Sequence, residues 1–279
     1  MLDVVPLRYG TAFKKAFSDP LAFHALVLAA LGIDFTPDRI EQEYSYPQPV
    51  ARVNVTYDLF AEDTTRRTIV ELQHIREPTT YDRFLYYHCI GLAEQIESSK
   101  CYKLERDVYT LVVFTRWPDE PAMRFGRAVS DMDPVTDEGR HLGVYRHRMV
   151  FINARAPEDQ IPPALRPLLA LMEDTLDGRV DGARYPDEVS QHILTRILWD
   201  RMTPDENARV KEETGWEDAR RESREEGLRA GEARGQVKGL CEAYGLTLTP
   251  AQETHLASLD LAGLEALRVH LKQHRAWPS

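Results

Sequence analysis

Tyr57-Asp58-Leu59-Phe60-Ala61-Glu62-Asp63-Thr64-Thr65-Arg66-Arg67-Thr68-Ile69-Val70-Glu71-Leu72-Gln73 reads as two strands joined by a short polar turn. Residues two apart on a strand point to the same face, so Glu71 and Gln73 project together while Val70 and Leu72 face the core. A turn between Thr64 and Thr65 sets Asp58 directly opposite Glu71. Opposed Cβ atoms lie about 4.5–5.5 Å apart, and two carboxylates that close repel unless a cation lies between them or one is protonated. A hard divalent cation is the natural occupant. The same spacing also suits a solvent-facing hairpin with ordinary surface charges, so the neighbouring segments decide between the two.

Thr11-Ala12-Phe13-Lys14-Lys15-Ala16-Phe17 precedes the hairpin, Tyr81-Asp82-Arg83-Phe84-Leu85-Tyr86-Tyr87 follows it, and an apolar stretch over 109–115 comes next. In this order the chain resembles the PD-(D/E)xK nuclease superfamily, and within it the recombination-promoting nuclease and transposase-like (Rpn) group. The segments match, in turn, that group's opening helix, the strand with its first acid (Asp58), its second motif (Glu71 and Gln73, with Gln in place of Lys), its helix bearing arginine and tyrosine, and the following strand. The resemblance covers 1–115 well and the remainder loosely. It implies an α/β, restriction-endonuclease-like mixed sheet flanked by helices, with a helical C-terminal extension. It also implies a Mg²⁺- or Mn²⁺-dependent DNA endonuclease, linked to recombination or mobile elements.

Carried onto this chain, the resemblance makes Asp58, Glu71 and the main-chain carbonyl of Leu72 the metal ligands, with Gln73 completing the catalytic set. A neutral amide orients water through hydrogen bonds and cannot act as a general base. Lys14, Arg83 and Tyr87 are the candidate contacts to nucleic acid, although aromatic residues at helical spacing are more often core. One departure is Gly10, where the group carries an acid; Glu41 and Glu43 are the candidates to replace it, or else surface charges. Glu94 or Gln95, late in the third helix, could support the attacking water. His74 alternates to the opposite strand face and is assigned to packing.

The chain has 279 residues, 43% of them hydrophobic, against about 100–200 per domain. The expected division is a nuclease-like domain over 1–202, a charged, glycine-punctuated linker or helix over 203–239, and a small helical module over 240–279. A net charge of -10 runs against nucleic-acid binding. Lys14, Lys15, Arg66, Arg67, Arg76 and Arg83 are the residues able to form a local basic patch, or else are solvated individually. No apolar run reaches the roughly 18 residues of a membrane span and no leader pattern opens the chain, so a cytoplasmic location is expected. Cys89, Cys101 and Cys241 lack zinc spacing. No Gly-x-Ser-x-Gly, Walker or dinucleotide-binding pattern occurs.

Apolar periodicity predicts helices over 11–31, broken at Ser18-Asp19-Pro20 and ended by Gly32, then strands over 43–46, 53–60 and 68–73, a helix over 80–97 and a strand over 108–115. A further strand over 144–152 and helices over 165–176 and 189–202 follow. Gly227, Gly231, Gly235 and Gly239 fall every fourth residue, which suits a flexible tether or close helix pairing in a homodimer. Segments 240–248 and 256–271, with Thr249-Pro250 as a helix start, form a small helical module read as an interaction element, with Leu256, Leu259, Leu264, Leu267 and Leu271 as its apolar face. Beside the nuclease reading stand two others: a catalytically degenerate binding or regulatory protein, and a toxin-like or phage-defence nuclease.

Overall fold

Strand β5 (Asp107–Phe114) is buried at every position after its first residue, as a strand covered on both faces must be. The computed structural model describes residues 1–48, 50–74, 80–96, 100–115 and 125–278. In it β5 lies inside a six-stranded sheet with β2 (Arg39–Tyr44), β3 (Tyr57–Glu62), β4 (Arg66–Gln73), β6 (Arg127–Asp131) and β7 (Arg148–Asn153), ordered β2-β3-β4-β5-β7-β6. Strands β2, β3 and β4 form an antiparallel meander, β4, β5 and β7 run parallel, and β6 returns antiparallel to β7. A separate short pair joins β1 (Leu2–Asp3) to β8 (Arg179–Val180).

The β3–β4 hairpin has the expected register, with Leu59 opposite Val70 and Glu62 opposite Arg67. Asp63 fixes the turn: its Oδ1 accepts from the amides of Thr65 and Arg66, each at 2.6 Å, the local bonding that makes Asp a turn residue.

The pleat then sorts side chains into two layers. Leu59, Ala61, Val70, Leu111, Val113, Val150 and Ile152 pack on one face against α1 (Gly10–Phe17), α2 (Pro20–Leu31), α4 (Arg166–Asp174) and α5 (Glu188–Ile197). Phe60, Ile69, Val108, Val112 and Phe114 cover the other, beneath α3 (Thr80–Ala93). The break between α1 and α2 falls where expected: Asp19 caps α2 by accepting from the amides of Leu21 and Ala22, and Gly32 closes it at φ 69°.

Several expectations need correction. Residues 45–46 and 53–56 are not strand, and β2 begins earlier, at Arg39. Strand β6 was not expected, because an edge strand with one buried neighbour needs little apolar sequence. The stretch assigned to a linker or helix is one helix, α6 (Pro204–Ala243). Within this chain its four regularly spaced glycines meet open space. What organises it is Ala230, Ala233, Val237 and Cys241, at three- and four-residue spacing.

The chain divides into compact units over 1–210 and 211–279. In the second, those four residues pack with Leu256 of α7 (Pro250–Ser258) and Leu264, Leu267 and Leu271 of α8 (Leu261–His274). Thr249 and Gln252 form a capping box at the start of α7. Among the described residues no helix is long and apolar enough to cross a membrane.

Two buried histidines, His88 of α3 and His147 just before β7, are neutral groups. His147 Nδ1 accepts from the Val108 amide at 3.0 Å, so its proton sits on Nε2. His88 is fully buried with Nδ1 2.9 Å from Thr110 Oγ1. Burial, and then the charge of a protonated His147, push its pKa down to about 4. The unfolded chain takes up this proton below about pH 6.5 and the folded one only near pH 4. Stability contributed by neutral His88 is therefore present above pH 6.5 and lost as pH falls through that window, by about 3 kcal/mol in all. Urea midpoints measured from pH 7 to pH 4 are expected to fall more steeply for the wild type than for His88→Gln; parallel curves would disprove this.

Candidate active site

Strand β4 presents Arg67, Ile69, Glu71 and Gln73 on the α3 face, and Asp58 of β3 shares that face with Phe60. Asp58 and Glu71 meet at the open end of the hairpin. The Asp58 amide donates to Glu71 Oε1 at 3.1 Å, and the Leu72 amide donates to Asp58 Oδ2 at 2.9 Å. Each carboxylate thus holds the other's strand in place. Glu71 is only 1% exposed.

Burial pushes Glu71 well above the usual carboxylate range, and the neighbouring Asp58 charge adds to it; the Asp58 amide, Arg83 and Lys14 oppose the shift only in part. Asp58 is raised as well, first by burial, with the Leu72 amide, Lys14 and Arg83 opposing and Glu43 adding. The pair is therefore a buried acidic centre without full compensation, the arrangement that a cation or a shared proton relieves.

Arg83 reaches over from α3, with Nη2 3.5 Å from Glu71 Oε2 and Nη1 3.5 Å from Gln73 Oε1. Both contacts are long for a charged pair. Tyr87, one turn later, is half-buried, edge-on to Tyr57 and under the Arg83 guanidinium at 5.2 Å. It props Arg83 from within the aromatic cluster, and its ring is core more than surface.

Lys14 of α1 binds Glu43 Oε1 at 2.7 Å, and Arg209 reaches the same oxygen at 3.1 Å. Glu43 has φ 52° and drops out of the β2–β3 ladder between Gln42–Leu59 and Tyr44–Tyr57. A left-handed backbone at a residue with a side chain is strained, and here it turns Glu43 out of the pleat beside Asp58. Glu43 is thus the acid nearest the pair, although Lys14 and then Arg209 hold its carboxyl below the usual range. Glu41 pairs instead with Arg39 at 2.7 Å.

The basic patch is not assembled. Arg67 is buried and bound to Glu62 and Glu94, Lys15 binds Glu206, and Arg66 donates to the Asp34 carbonyl. Arg76 lies outside the described residues. Glu94 and Gln95 do not support the site: Glu94 binds Arg67 at 2.8 Å, and Gln95 accepts from the Arg106 amide. His74 packs with Nδ1 2.8 Å from Thr115 Oγ1.

The donors suit a hard divalent cation. Asp58 Oδ1 has no hydrogen bond among the described residues, and Glu71 Oε2 has only the long contact to Arg83. In an extended residue N–H and C=O point to the same side, so the Leu72 carbonyl is directed toward Asp58, as its amide is. Among the described residues no three His, Cys, Asp or Glu side chains converge as a metal site; the pair offers two carboxylates and a carbonyl. No protein-family model, curated protein or solved structure matches this chain. The functional reading rests on this geometry together with the ordered motifs.

Proposed function

We propose that the chain is a metal-dependent phosphodiester hydrolase acting on DNA, with the restriction-endonuclease-like organisation its motifs resemble. The observation that carries the reading is the incompletely compensated pair of half-buried Asp58 and buried Glu71, set on adjacent strands of a mixed sheet next to a half-exposed arginine. A bound Mg²⁺ or Mn²⁺ would polarise the scissile phosphate and acidify the attacking water. Asp58, Glu71 and the Leu72 carbonyl would hold it. Gln73 would orient water by hydrogen bonding, and Arg83, released from its long contacts, would meet a phosphate oxygen. Lys14 is committed to Glu43 and acts on the pair through its charge.

Supercoiled plasmid incubated at low salt with Mg²⁺, Mn²⁺ or EDTA tests this. Cleavage by the wild type in metal only, lowered roughly 100-fold or more by Asp58→Ala, is the expected result. A second reading, a binding protein that keeps the fold without the chemistry, draws on Lys14 and Arg83 supplying positive charge where a cation would go. Absence of cleavage together with absence of metal binding by calorimetry would establish that reading instead.

A further inference from the structure

At the opposite, N-terminal end of the parallel strands lies a cavity of about 420 Å³ lined by Arg66, Tyr109, His141, Tyr145, Arg146 and Arg148, among others. Its charges are unevenly paired. Arg148 Nε binds Asp131 at 2.8 Å. Arg66 donates to a main-chain carbonyl, and Arg146 has no ion pair among the described residues. Asp133, also in the wall, accepts from the amides of Gly143, Val144 and Tyr145 at 2.7–3.1 Å and lies 3.4 Å from His141 Nδ1, and it keeps its negative charge. Burial alone would raise its pKa, but these amides outweigh that and hold the carboxyl low. Asp133 therefore shapes the loop that carries His141, Tyr145 and Arg146, and the wall, with Arg66, Arg146 and Arg148 against Asp131 and Asp133, stays net positive.

The second observation is Tyr109. Its side chain is 3% exposed, it lines the cavity, and its hydroxyl has no hydrogen-bond partner among the described residues. The hydroxyl is the part of this residue left open to the cavity, where a ligand can reach it. Burial and Asp107 raise the phenol's pKa, while Arg66, Arg148 and Arg146 pull it down, so all three guanidinium groups act on it.

We propose that this cavity binds a small phosphate monoester, whose phosphate Arg66 and Arg146 bind while the Tyr109 hydroxyl donates to one phosphate oxygen. Two guanidinium groups without an ion pair have donors to offer, the wall is net positive, and arginine suits phosphate oxygens in geometry. A phosphodiester inside a duplex carries one charge and is flanked on both sides by sugars. A terminal phosphate can enter end-on to a recessed phenol, and the cavity has room for the group it is attached to. The site is separate from the acidic pair and independent of what that pair does.

Calorimetry on the full chain in EDTA, with inorganic phosphate, adenosine monophosphate, and a single-stranded oligonucleotide with and without a 5′-phosphate, tests this. Saturable binding of the monophosphate is expected, weakened roughly tenfold or more by Arg146→Ala and by Tyr109→Phe and unchanged by Glu71→Gln. If the phosphorylated oligonucleotide binds more tightly, with the same dependence on these variants, the ester is a nucleic-acid end; if not, it is a free small molecule. No binding of any probe, or equal binding by Arg146→Ala, overturns the proposal. Loss of binding in Glu71→Gln also overturns it, by placing the ligand at the acidic pair. Arg146 is exposed, so its variant stays informative even if Tyr109→Phe folds poorly.

Discussion

Replacing Glu71 with glutamine is expected to abolish metal-dependent cleavage, by roughly 100-fold or more, and at the same time to stabilise the metal-free protein at neutral pH. The two effects have one cause. Glu71 is 1% exposed, its charged form is disfavoured by burial and by Asp58, its one ion pair among the described residues is the long Arg83 contact, and Lys14 acts on it only through its charge. Glutamine keeps the shape and the acceptor for the Asp58 amide but carries no charge. Relief of such a site is worth about 1–2 kcal/mol.

The pH dependence follows in sign. Because the folded pKa lies above the unfolded one, the folded state holds more protons between the two values, so stability falls as pH rises through that window. The Glu71→Gln advantage should vanish below about pH 4 and grow as pH rises from there. Thermal midpoints in EDTA across this range measure it. Adding Mg²⁺ should then raise the wild-type midpoint more than that of the variant, since a ligand stabilises only the state that binds it. A variant less stable than wild type at pH 7 would mean that Glu71 already has an adequate partner, and the electrostatic basis of the site would fail.

The hairpin was legible in the sequence because every force that sets it is local. The turn residues 63–66 and the two-residue period fix which side chains oppose, so the Asp58–Glu71 juxtaposition needed no tertiary information. The break at Asp19-Pro20 and the stop at Gly32 were legible for the same reason. What escaped depends on partners far along the chain. Arg67 reads as a surface cation until Glu94 and the carbonyl of Gly91 arrive from α3. The run of charge and glycine in α6 hides Ala230, Ala233, Val237 and Cys241, small residues that define a helix face only once α7 and α8 cover it. Tyr109 reads as one more core residue of β5, and only the loop pinned by Asp133 turns its surroundings into a cavity.

The same face of β4 holds both a compensated and an uncompensated ion, which makes Arg67 the natural control for Glu71. Arg67 is 3% exposed. Its Nε and Nη2 bind Glu62 Oε2 at 3.1 and 2.9 Å, and its Nη1 binds Glu94 and the Gly91 carbonyl, each at 2.8 Å. Its guanidinium also lies over the rings of Phe60 and Tyr46 at 5.2 and 5.4 Å. Every donor facing the core is used, so Arg67→Met is expected to cost roughly 4 kcal/mol, the loss typical when one partner of a buried ion pair is removed. Most of that loss would come from leaving Glu94 without its cation and Glu62 with only Arg39, at 2.5 Å, and Arg106, at 3.9 Å. Adding Glu62→Gln and Glu94→Gln to Arg67→Met should therefore recover a large share of it, measured as urea-unfolding free energy in a mutant cycle. No recovery would assign the loss to packing of the arginine stem between the rings instead. Charge removal at the two ends of one strand face should then act in opposite directions, destabilising at Arg67 and stabilising at Glu71. That asymmetry distinguishes an ion pair built into the fold from a charge kept for a bound cation.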